Sequence, residues 1–149
     1  MSTSNVRPLQ AKDKERWTEL YAAYARFYNS TQNGDMREQV WSWLMDDTNE
    51  LQGLVATDKK KNVVGIAHFR PFLRPLAASK GAFLDDLFVD PSHRGTGAAE
   101  ELINEIKRLA QENGWSIVRW VTADNNYRAR AVYDRMARKT DWLTYDIQL

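Results

Sequence analysis

The sequence predicts an α/β fold whose central feature is a parallel pair of strands joined by a helix. Three observations point to it. Residues 82–89 alternate and end in branched and aromatic residues until Pro91 stops the run. Gly95 and Gly97 then lead into an apolar pattern of helical spacing, Ala98, Leu102, Ile103, Ile106, Leu109 and Ala110, which ends at Asn113-Gly114, a left-handed cap. Residues 115–122 form a second strand-like run. Strand, crossover helix and strand in that order imply a parallel pair with a right-handed connection.

Length and composition set the outer bounds. The 149 residues suit one domain, spanning residues 1–149, with a single substantial core. Lys plus Arg number 21 against 20 Asp plus Glu, a net charge of +1, which leaves no excess of positive charge to track a nucleic acid. There is no cysteine, so neither a disulfide, a thiolate metal site nor a cysteine nucleophile is available, and two histidines alone make metal catalysis an unpromising reading. No apolar run approaches the ~20 residues of a membrane span, and residues 1–7 lack an apolar signal core, so the expected setting is cytoplasmic with no membrane partner.

Along the chain, residues 6–9 read as a short first strand, with Pro8 placing it at an edge or at the strand end. Residues 12–30 set Trp17, Leu20, Tyr21, Tyr24, Phe27 and Tyr28 on one helical face. That stripe reads chiefly as core, while its hydroxyls also suit a pocket wall, with Tyr28 as a substrate-lining candidate. After the turn at residues 29–35, Met36, Val40, Trp43 and Leu44 give a second helical face; Trp41 falls off it and reads as an exposed indole, either a lid over a substrate or a subunit contact. Residues 51–57 and 62–69 are strands joined by a solvated hairpin turn containing Lys59, Lys60 and Lys61, and His68 in the second of them reads as structural rather than as a general base. Residues 70–81, with two prolines, read as an irregular connection beside a site.

In the strand at residues 82–89 strict alternation puts Asp85 and Asp86 on opposite faces. An acidic pair in a central strand is costly unless paired, so at least one is expected to meet a cation. The turn after this strand suits an anion. Its glycines let backbone lie close to a ligand, and the helix that follows offers free N–H groups and the positive end of its dipole. A third dinucleotide-type glycine is missing, since Glu100 stands there, and no Gly-Lys-Ser/Thr is present.

Arg94-Gly95-Thr96-Gly97-Ala98-Ala99 resembles the pyrophosphate signature of the GCN5-related N-acetyltransferases: Arg or Gln, two free positions, Gly, one free position, Gly or Ala. Asn126, Ala129, Val132 and Tyr133 resemble the second half of the same pattern. Both motifs occur in order with a strand, helix and strand between them, and the run from Arg119 to Tyr133 looks closest to the histone and polyamine acetyltransferase subgroup. One departure is Met136-Ala137 in place of the usual Leu-Gly-Phe, and a strand is expected in the tail at residues 139–145.

The resemblance implies a mixed, splayed sheet of about 6–7 strands flanked by about four helices. It also implies acetyl-CoA as co-substrate, with no metal. The backbone of Leu87, Phe88 and Val89 would pair with the pantetheine arm, Arg94 to Ala99 would hold the pyrophosphate, and Asn126 would contact the cofactor. Tyr133 would protonate the departing thiolate, and Asp85, or secondarily Asp86, would take the proton of the attacking amine, although base and amine binder are not separable at this level. Transfer would be direct, for want of a cysteine. The acceptor expected is a small-molecule amine, polyamine or amino-acid-like. The alternatives are an acyl-CoA-binding module without turnover and a protein-lysine acetyltransferase. A homodimer with an interface near Trp142 and Tyr145 is expected.

Overall fold

The computed structural model describes residues 5–149; residues 1–4, where the stretch read as lacking a signal core begins, lie outside them. Five strands form one sheet in the order β1 (Val6–Pro8), β2 (Gln52–Thr57), β3 (Val63–Arg74), β4 (Ser79–Val89) and β5 (Val118–Arg119). Among the first four each strand is antiparallel to its neighbour, and β5 lies parallel to β4. Helices α1 (Lys14–Phe27) and α2 (Gly34–Leu44) separate β1 from β2, α3 (Ala98–Glu112) crosses from β4 to β5, and α4 (Tyr127–Met136) follows. The mixed α/β sheet and four helices match expectation, while the strand count is five rather than 6–7. Only two residues of the 115–122 run pair as β5, and the tail at 139–145 forms no strand.

Both faces of the sheet are covered, so adjacent residues of a strand enter different cores. Val55 and Ile66 meet Trp17, Leu20 and Tyr21 of α1 and Trp41 of α2. Leu54, Ala56, Ala67 and Phe69 point the other way, onto Leu102, Ile103, Ile106 and Ala110 of α3. Period-2 alternation on the strands and the 3.6-residue stripe of α3 are the sequence expression of this layering. The hairpin tip behaves as its composition dictates: Asp58 accepts N–H bonds from Lys60 and Asn62, and Lys61 takes a left-handed φ of 69°.

Two local readings are corrected. Val40 and Leu44 of α2 pack against the core as expected, but its most buried residue is Trp41, 9% exposed and tilted against Trp17 at 5.0 Å, whereas Trp43 and Met36 are exposed. Residues 70–81 are not an irregular connection: β3 runs on through Pro71 to Arg74, a 3-10 turn at Pro75–Ala77 with Ala78 left-handed reverses the chain, and β4 starts at Ser79. Phe72 packing edge-on to Phe83, 5.8 Å away, holds this extension together.

The feature that positions the site is a β-bulge. His68 lies opposite Asp86 but Phe69 lies opposite Leu84, which leaves Asp85 as the extra residue. The phase of β4 changes there, so Leu84 and Leu87 both face α3. A bulge also bends its strand, and β4 pairs with β5 only at Ala82 and Phe83. Past that point the outer edge of β4 has no strand partner among the described residues.

Candidate active site

The bulge overturns the expectation that Asp85 and Asp86 face opposite ways. Both line one cavity of about 730 Å³ together with Tyr21 of α1, Val40 and Trp43 of α2, the 48–51 connection and Arg70 of β3. Their settings differ. Asp86 lies against the α1 face, where its Oδ2 accepts the Tyr21 hydroxyl at 2.9 Å and sits 2.8 Å from His68 Nδ1. Trp17 Nε1–H donates to His68 Nε2 at 2.9 Å; an indole can only donate, so the ring's proton rests on Nδ1 and is given to Asp86. His68, 1% exposed, is therefore the satisfied structural histidine the strand pattern suggests, but its partner is a site carboxylate. Burial pushes the Asp86 carboxyl up, yet His68 and the hydroxyls of Tyr21 and Tyr24 outweigh it and hold the group below the usual carboxylate range. In return, burial and the Asp86 charge push the Tyr21 and Tyr24 hydroxyls up, so both remain donors.

Asp85, the bulged residue, goes the other way. Burial pushes its carboxyl up, and the neighbouring Asp86 adds to this, against the pull of Arg70, whose Nε donates to Asp85 at 3.0 Å. One carboxylate is a fixed anion and the other has raised proton affinity, a division typical of a site where a cation is bound and a proton taken.

At the end of β4 lies the turn expected to take an anion. Asp90 caps a short 3-10 turn at Pro91–His93, and Thr96 Oγ1 donates to the His93 carbonyl at 2.7 Å, closing the loop. Gly95 and Gly97 have φ of 83° and 86°, and a Cβ on either would meet nothing within 4 Å. The loop thus leaves free space before the N-terminus of α3, whose first amides have no intrahelical acceptor. Arg94 stands over the ring of Phe27 at 5.8 Å. The unpaired edge beside Leu87, Phe88 and Val89, leading to this turn, fits an extended amide-bearing chain that ends in a pyrophosphate.

Tyr133 lies on α4 with its ring 5.3 Å from Trp120, against the α3-side core. Burial, with a smaller contribution from Tyr28, pushes its hydroxyl up to about 12, so it keeps its proton as a donor. Asn126 caps α4 by accepting from Ala129 N–H, and its Nδ2 donates to the Tyr28 hydroxyl at 3.3 Å. Tyr28 thus stands at a second, smaller cavity with Phe27, Asn125 and Asn126, away from the acidic one. Trp41, proposed from sequence as a substrate contact, is sealed in the core, because Trp17 and the β2–β3 face take it in; Trp43 is the tryptophan that reaches the cavity. Arg70 and Glu50 had not been singled out for the site, and Tyr21 figured only among the stripe hydroxyls suited to a pocket wall. The alternation of His68, Arg70 and Phe72 carried the signal for Arg70, masked by Pro71.

The acetyltransferase (GNAT) family pattern matches residues 17–137 of this chain. A D-amino-acid N-acetyltransferase of Saccharomyces cerevisiae is 29% identical over 141 residues, 94% of this chain and 88% of that protein. Among solved structures, a ribosomal-protein-alanine N-acetyltransferase from Brucella melitensis matches with a TM-score of 0.79 at 25% identity, over 97% of this chain and 99% of that one. An aminoglycoside N-acetyltransferase in complex with CoA shares the fold, with a TM-score of 0.80 at 20% identity over 96% and 93% of the two chains.

Proposed function

Since the chain belongs to the acetyltransferase (GNAT) family and is an acetyl-CoA-dependent N-acetyltransferase, we propose that it acetylates the primary amine of a small molecule, amino-acid-like or polyamine-like, held in the acidic cavity. The observation that carries this reading is the bulge, which puts Asp85 and Asp86 together in that cavity beside the unpaired edge of β4. The S. cerevisiae relative, named for D-amino acids, favours the amino-acid-like class, and the likeness to histone and polyamine enzymes is not carried by the relatives described above.

In this reading Arg94, Gly95, Thr96, Gly97, Ala98 and Ala99 receive the pyrophosphate of acetyl-CoA, and the backbone of Leu87, Phe88 and Val89 pairs with its amide-bearing arm. Acetyl-CoA supplies the activated acyl group. Asp86 fixes the acceptor ammonium. The bound ammonium first gives one proton to Asp85 and becomes the neutral amine; as that nitrogen bonds to the acetyl carbon its second proton leaves to solvent, and as the C–S bond breaks Tyr133 donates to the leaving sulfur and is reprotonated from solvent. The transfer is direct, since no cysteine exists to carry the acyl group. Asn126 and Tyr28 brace the cofactor side through their mutual hydrogen bond. The protein acts in the cytoplasm as a homodimer, with the exposed apolar side chains of its carboxyl-terminal tail as the contact.

The test is free-thiol release from acetyl-CoA with D- and L-amino acids, polyamines, aminoglycosides and a histone-tail peptide, in the wild type and in Tyr133→Phe. Release with a small-molecule class, falling by roughly 10²-fold or more in the variant, is the expected result. Binding of acetyl-CoA without release by any amine would instead make the chain a coenzyme-binding module.

A further inference from the structure

The acidic cavity contains one misfit to a purely cationic guest: Arg70. Its guanidinium spends only Nε on Asp85, at 3.0 and 3.3 Å from the two carboxylate oxygens. Neither terminal nitrogen has a hydrogen-bond partner among the described residues, while the guanidinium carbon lies over the Phe83 ring at 4.9 Å. A planar guanidinium against an aromatic ring, at the lining of a cavity and with both terminal nitrogens unspent, matches a carboxylate bidentately. An acceptor with only ammonium groups would be repelled by it.

Resting on the acetyltransferase reading above, we propose that Arg70 determines acceptor specificity: its terminal nitrogens bind a carboxylate on the acceptor while its Nε stays on Asp85, which receives the proton of the amine. Arg70 and Asp85 are in direct contact at 3.0 Å, so a carboxylate on the one and an amine at the other are close neighbours. An acceptor whose carboxylate sits on Arg70 while its nitrogen lies between Asp85 and Asp86 has both groups on one carbon, as an α-amino acid does. Arg70 thus binds the acceptor directly and leaves the proton transfer to Asp85. No bond to Arg70 is made or broken; the proton lost by nitrogen is the one Asp85 gains.

The experiment pairs each amino acid with its decarboxylated amine: alanine with ethylamine, phenylalanine with phenethylamine, lysine with cadaverine, using both enantiomers of each amino acid. Wild type is expected to favour the amino acid in kcat/KM by about tenfold or more, the scale of a charged hydrogen bond. In Arg70→Met the KM for amino acids rises by a similar factor while the KM for the plain amines falls, because the cation that repels them is gone. Arg70→Lys, a point charge without the fork, recovers part of the amino-acid KM and decides the matter if the methionine variant does not fold. Wild type that takes amines as readily as amino acids, or a variant that loses both alike, overturns the role of Arg70 while leaving acetyl transfer standing. Wild type that acetylates no member of either series overturns the acetyltransferase reading and this one with it.

Discussion

Two positions apart on α2, Trp41 and Trp43 have unlike roles, and the difference is measurable. Trp41 fills the core against Trp17, Val55 and Ile66, so Trp41→Ala is expected to cost about 3–5 kcal/mol by chemical denaturation. Trp43 is 43% exposed over the acidic cavity, and Trp43→Ala should stay within about 0.5 kcal/mol in stability while raising the acceptor KM several-fold. The reverse pattern would return the lid to Trp41. At this scale the sequence was legible where chemistry depends on residue type and local spacing. Tyr133, Asn126 and the Gly95 and Gly97 turn were all named from motif alone, and the turn has the open, left-handed backbone its glycines suggest. The face of α2 was misread because its stripe is short and holds three apolar candidates per turn; which one turns inward depends on the cavity left by α1, which no local pattern encodes.

Elements show the same division more sharply. Helix α3, with its single apolar stripe and glycine ends, was readable almost to the residue, since both signals are local. The bulge at Asp85 was not, because a strict period of two gives no sign of an extra residue; the two adjacent carboxylates were the only trace. Its consequence, the short pairing of β5, was equally hidden: residues 115–122 have strand composition throughout, but only Ser116 to Arg119 bond to the β4 backbone, and residues 120–122 lose their partner where β4 bends away. The bulge also ties acid stability to the site. Asp86 lies below its unfolded value of about 3.9, as Asp13 does through its two hydrogen bonds from Arg7 and as Asp90 does at about 2. Such carboxylates add stability that is complete above the unfolded value and is lost as pH falls through the folded ones. Melting temperature should therefore drop from about pH 5 towards pH 2, and Asp86→Asn, though less stable at neutral pH, should drop less steeply because one of these groups is gone. Parallel curves for wild type and variant would show that the His68, Tyr21 and Asp86 cluster does not carry the acid response.

At the scale of the whole molecule the unexplained surface is the tail. Leu143, Tyr145, Ile147 and Leu149 alternate with polar residues as a strand does, and together with Trp142 they are 76–117% exposed. None of the tail residues pairs with a strand among the described residues, and β5, the last strand of the sheet, has its far edge open. A strand-patterned segment and an unpaired parallel edge in one chain are complementary, and a second copy can satisfy both at once by isologous exchange. Burying each large apolar side chain contributes about 1.5–3 kcal/mol, so four or five of them on each copy are enough to offset the cost of association. Light scattering of the intact protein is expected to give twice the chain mass of 17.3 kDa. Removing the residues after Thr140 should give a monomer that still binds acetyl-CoA, because the anion turn and β4 edge lie outside the tail. Intact protein that runs at single-chain mass at micromolar concentration would end the homodimer proposal, and a truncated chain that stays dimeric would move the interface elsewhere on the surface.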